Sequence, residues 1–74
     1  MAKKTTTRDR VYKKIQLVGT SRKNFEAAIE SAVKRSAETI SDLRWFEVKE
    51  LRGKVDQSGI LEYQAVVAVA FEVR

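Results

Sequence analysis

The sequence has no cysteine, no histidine and no proline. Without cysteine there are no disulfides and no thiolate metal sites. Without histidine as well, zinc and most transition-metal centres lose their usual ligands, and no metal site is expected. The same two absences remove the commonest nucleophiles and general bases. Ser21, Ser31, Ser36, Ser41 and Ser58 have no evident base beside them, and the carboxylates are scattered without a spacing that proposes a catalytic pair. An enzyme is therefore not expected. Cysteine-free composition fits a reducing cytoplasm. No apolar run approaches the length of a transmembrane helix, so no membrane partner is expected.

Seventy-four residues make one domain at most. A chain this short buries little of its own surface and is marginal alone. With disulfides and metals excluded, oligomerisation remains as the source of stability. The net charge is +5. That excess suits an anionic partner such as nucleic acid, but Asp and Glu are interspersed and Lys3, Lys4, Arg8 and Arg10 supply part of the excess. A solvated charged surface accounts for the rest. Met1 to Thr7 is polar and has no apolar core of a signal peptide. Residues 1–9 read as a disordered basic tail and residues 10–74 as a single domain.

Val11 to Val18 alternates as a first strand, ended by Gly19-Thr20-Ser21, with Thr20 or Ser21 placed to cap a helix. From Arg22 to about Ile40, the positions Phe25, Ala28, Ile29, Ala32, Val33, Ser36 and Ile40 form one apolar stripe. Leu43 to about Val55 is a second strand and Ile60 to Val73 a third, joined as a hairpin across Asp56-Gln57-Ser58-Gly59. The third strand is the most apolar, which makes it central. The first and second strands flank it, each antiparallel to it, and the helix forms a right-handed crossover between them. The fold class is α+β: β-α-β-β, a three-stranded antiparallel sheet wrapped around one helix.

Pairing Val55 with Ile60 across the turn, at constant sum, sets Trp45 opposite Ala70 and Leu51 opposite Gln64. Phe46 and Val48 then point into the helix-covered core. Trp45, Leu51, Ile60, Val66, Ala68 and Ala70 fall on the face away from it. One helix cannot cover both faces, so a second copy of the chain is required. Ala68 and Ala70 leave room beside the indole for a partner side chain or a flat ring. Trp45 reads either as an interface anchor or as a stacking platform. Gln64, on the same face, offers a donor and an acceptor together, to backbone, partner or ligand.

Val11-Tyr12-Lys13-Lys14-Ile15, Leu17-Val18-Gly19-Thr20-Ser21, Arg44-Trp45-Phe46-Glu47-Val48, Arg52-Gly53, Tyr63-Gln64 and Val69-Ala70-Phe71 together resemble the dodecins, in order and over nearly the whole chain. The resemblance implies a hollow homododecamer that binds flavins (riboflavin, FMN or FAD) in pairs, stacked between tryptophans of neighbouring subunits. The implied role is flavin storage and protection from flavin photochemistry. By resemblance, Trp45 is the stacking residue and Gln64 bonds the ring edge. Arg52 lies near the flavin tail or phosphate, and Glu50 near the ribityl chain. Glu72 stands where many bacterial members carry arginine; a carboxylate there opposes the phosphate of FMN. Readings of other classes are a ligand-free oligomeric assembly, a small basic nucleic-acid-binding protein and, with no residues visible to support it, a flavoenzyme.

Overall fold

A computed structural model describes residues 9–74. Apart from Asp9, the tail expected over residues 1–9 lies outside the described residues. The element order is β1 (Val11–Ser21), α1 (Phe25–Thr39), β2 (Leu43–Asp56) and β3 (Gly59–Val73). The three strands form one sheet in the order β1-β3-β2, with β3 antiparallel to both neighbours. This is the expected β-α-β-β architecture. No helix among the described residues is long and apolar enough to cross a membrane.

The core forms where β3 meets the helix. Ala28 and Ala32 on α1 pack on Ala65, Val67 and Val69 of β3, with Ile15, Leu17, Ile29 and Val33 around them. Gly19 sets how closely the helix approaches β1. A Cβ at this position would lie 2.0 Å from the backbone oxygen of Ala28 and 2.9 Å from the Ala32 Cβ. Only glycine allows that contact.

Three local expectations are corrected. First, β1 runs on to Ser21, because β3 is long enough to pair Gly19, Thr20 and Ser21 with Ala65, Gln64 and Tyr63. Thr20 and Ser21 are thus ladder residues. The helix starts at Phe25, and Asn24 caps it by accepting from the Ala27 amide at 2.7 Å. Ser21 Oγ instead accepts from the Lys23 amide at 2.9 Å, turning the chain toward the cap.

Second, the β2–β3 register is not constant. It shifts between Leu43 and Trp45, again between Val48 and Glu50, and back between Lys54 and Val55. Each shift is an extra residue in one strand, a bulge, and the last two offset one another. Trp45 still faces Ala70 and Val55 still faces Ile60, but between the bulges Leu51 faces Ala65, and Arg52 faces Gln64. Leu51 therefore shares the helix side of the sheet, and Arg52 takes the side assigned to it.

Third, Phe46 and Val48 point to the helix side but are not covered; they remain 48% and 41% exposed. The close seat on Gly19 holds α1 over β1 and β3, and it barely reaches β2. No residue of β2 is buried. The radius of gyration is 16.9 Å, where a compact domain of this length has about 11 Å. The long β2–β3 hairpin thus leaves apolar side chains exposed on both faces.

Candidate functional site

The face away from the helix is built by strand alternation. In β1, Tyr12, Lys14, Gln16 and Val18 pair with Glu72, Ala70, Ala68 and Val66 of β3. In β2, Trp45 and Glu47 pair with Ala70 and Ala68, and beyond the bulge Glu50 and Arg52 pair with Val66 and Gln64. All four residues expected at the site therefore lie on this face, in two separate groups.

Trp45 anchors the first group. Its indole is 42% exposed. Nε1 donates to Glu47 Oε2 at 2.9 Å. The Tyr12 ring meets the indole edge-on, with centroids 4.9 Å apart and planes at 61°. Lys14 reaches across β3 to both Glu47 oxygens at 3.2 Å, and Lys49 Nζ lies 3.5 Å from Oε1. The indole N–H and then the Lys14 ammonium hold the Glu47 carboxyl down to about 2. Ala68 and Ala70 are buried without the helix, because the Lys14–Glu47 pair passes over them. Part of the room expected beside Trp45 is thus filled by the chain itself.

The second group is Gln64 with Arg52 and Glu50. Arg52 Nε donates to Gln64 Oε1 at 2.7 Å, and Gln64 Nε2 donates to Glu62 Oε1 at 2.9 Å. Arg52 Nη1 also lies 3.6 Å from Glu50 Oε1. Gln64 therefore has partners in its own chain. The bulge at Lys49, invisible in the sequence pattern, brings Arg52 to it. The Trp45 level of β3 (Ala70) and Gln64 are six residues apart, roughly 20 Å along the strand. One chain does not bring Trp45 and Gln64 together.

Beyond Trp45, at the sheet end, lies an ion-pair cluster. Glu72 meets Arg44 at 2.6 Å, Arg10 at 3.8 Å and Arg74 at 3.9 Å, and Asp42 pairs with Arg74 at 3.1 Å. The Arg44 bond holds the Glu72 carboxyl below the usual carboxylate range. Three guanidinium groups surround two carboxylates, so the repulsion expected between Glu72 and a phosphate is offset.

Sequence reasoning missed Tyr12, Lys14 and Glu47 as parts of the Trp45 environment. The signal was present: extending the β1–β3 pairing from the central strand puts Lys14 across Ala70 from Trp45 and Tyr12 one pleat beyond, across from Glu72.

The fold is shared with known proteins. The family model for dodecin matches residues 11–74. The chain belongs to the dodecin family. It is 50% identical over 64 residues to a dodecin of Thermus thermophilus, covering 86% of this chain and 93% of that one. It is 36% identical over 64 residues to a calcium dodecin of Mycobacterium tuberculosis, covering 86% and 90%. A crystal structure of the tt0972 protein from Thermus thermophilus superposes with a TM-score of 0.82 at 48% identity, over 89% of this chain and 97% of that one. The dodecin from Streptomyces coelicolor gives 0.85 at 28% identity, over 92% and 97%. Dodecins are small oligomeric proteins that bind small ligands. Among the described residues of this dodecin chain, no three or more Asp or Glu side chains gather in a group suited to a metal ion.

Proposed function

We propose that this chain assembles as a homododecamer in the cytoplasm and binds flavin (riboflavin, FMN or FAD) in ring pairs stacked between Trp45 side chains of neighbouring copies. The role is sequestration: free flavin is buffered, and its photochemistry is quenched by the indole. The working unit is residues 10–74. Gln64 of another copy hydrogen-bonds the ring edge, Arg52 attends the tail or phosphate, and Glu50 the ribityl chain.

The observation that carries this reading is a half-exposed indole, anchored at its N–H, on a sheet face that no described element covers. Stacking on such a platform is worth about 1–3 kcal/mol per ring by analogy with base stacking. The 20 Å scale of the Trp45–Gln64 separation makes the site intersubunit, so binding requires assembly. The uncovered apolar residues Phe46, Val48 and Leu51 on the opposite face supply a second contact surface for that assembly.

The test is a titration of purified protein with riboflavin, FMN and FAD, following flavin fluorescence. The reading predicts strong quenching that saturates equimolar with the chain and persists in high salt. Binding to nucleic acid would instead weaken steeply with salt. Absence of quenching by all three flavins would leave Trp45 as an interface residue.

A further inference from the structure

We infer that Glu47 is the positioning residue of the Trp45 stacking surface: its carboxylate, clamped by Lys14 from the far side of the central strand, fixes the indole plane and enriches the ring in electrons. The inference rests on the flavin-stacking reading.

Trp45 and Glu47 are two residues apart on one strand face, so their side chains are neighbours by the period of the sheet. The indole has a single donor, Nε1, and it is committed to Glu47 Oε2 at 2.9 Å. A bond to an ionised acceptor is stronger than one between neutral groups. Glu47 is itself held. Lys14 Nζ lies 3.2 Å from each of its oxygens, and Lys49 Nζ lies 3.5 Å from Oε1. Lys14 faces Ala70, and Glu47 faces Ala68. The two short side chains of β3 let the ion pair pass from β1 to β2 above them. A larger residue at either position would block that path.

Turning the indole about its Cβ–Cγ bond would break the Nε1 bond, and the Tyr12 ring, its centroid 4.9 Å away at 61°, packs against it. The orientation is therefore set before a ligand arrives, and a flat ring meets an ordered platform. A negative charge at the N–H end also raises the electron density of the indole. That favours stacking with an electron-poor ring. Lys14, on both oxygens, and Lys49, on Oε1, hold the carboxylate where the indole N–H meets it.

The sole tryptophan makes this testable with and without ligand. Near-ultraviolet circular dichroism of the flavin-free protein reports the ordering of Trp45, and riboflavin, whose tail is uncharged, is the binding probe. Glu47→Ala is expected to reduce the tryptophan bands and weaken riboflavin binding about tenfold or more. Glu47→Gln, which keeps an acceptor but loses the charge, is expected to retain the bands and bind less tightly than the parent. Lys14→Met removes the clamp and is expected to reduce both signals with Glu47 intact. This second variant carries the test if Glu47→Ala does not assemble. Unchanged bands and unchanged riboflavin affinity in Glu47→Ala or Lys14→Met would overturn the positioning role. If the parent protein itself fails to bind riboflavin, the flavin reading fails, while loss of the bands in Glu47→Ala still supports the anchoring of the indole and retention of them still overturns it.

Discussion

Arg52 and Gln64 face each other across the β2–β3 ladder, with Nε donating to Oε1 at 2.7 Å. The guanidinium thus holds the Gln64 amide oxygen and lies 3.6 Å from Glu50 Oε1, and in the proposed reading its Nη groups reach a flavin phosphate. Arg52→Ala is expected to weaken FMN binding about tenfold, because charge-assisted bonds to phosphate are lost, and riboflavin binding less. Parallel fluorescence titrations of the two flavins check this. An equal loss for both would mean that Arg52 acts only by orienting Gln64.

The helix seats on β1 at Gly19 with no room for a side chain. A methyl group at Gly19 would lie 2.0 Å from the Ala28 carbonyl oxygen, which is backbone and cannot swing away. Gly19→Ala is expected to destabilise the fold by at least about 2 kcal/mol, as severe overpacking does. Thermal or denaturant unfolding of the variant measures it. A stability equal to that of the parent would mean that the helix moves off β1 at no cost.

Acid sensitivity follows from three carboxylates, Glu47, Glu72 and Asp56, the last lowered by its bonds from Ser58. Glu47 is lowered from 4.5 to about 2 by the Trp45 N–H and Lys14, and Glu72 is lowered by Arg44. A depressed folded-state value favours folding where the carboxylate is ionised in both states. That contribution is complete above the unfolded value of 4.5 and is lost as pH falls through about 2. With no histidine in the chain, no side-chain titration of that type adds a slope near neutrality. Denaturation midpoints taken across the acid range are expected to stay level down to about pH 5 and then decline. A steep loss already near neutral pH would contradict this assignment.

Much of the fold was legible because two periods were clean. The four-residue spacing of Ala28, Ala32 and Ser36 marked the buried helix stripe, and all three are buried. The near-continuous apolar character of β3 marked it as central, and pairing Val55 with Ile60 across the turn put Trp45 opposite Ala70, which the ladder bears out. The errors lie where side chains do not distinguish the two faces. Lys49, Glu50, Arg52 and Lys54 are all charged, so a bulge among them left no break in the apolar pattern, and register there is weakly specified. The pairing of Arg52 with Gln64 was hidden for that reason. The extension of β1 to Ser21 was hidden because Gly19-Thr20-Ser21 has turn-like composition, whereas the length of β3 decides it. The exposure of Phe46 was unreadable because it depends on where the helix lies across the sheet, which Gly19 sets. At the site, Trp45 stood out as the chain's one tryptophan, on the face without a helix. Its anchoring by Glu47 and Lys14 arises from three strands at once and has no local sequence signature.

The central claim is that Trp45 is a stacking platform within an assembly, and Trp45→Ala tests it most directly. The variant and the parent are titrated with riboflavin while size-exclusion chromatography follows assembly. The account predicts that the variant assembles as the parent does and no longer quenches riboflavin at concentrations that saturate the parent. An assembled variant that binds riboflavin with undiminished affinity would contradict it.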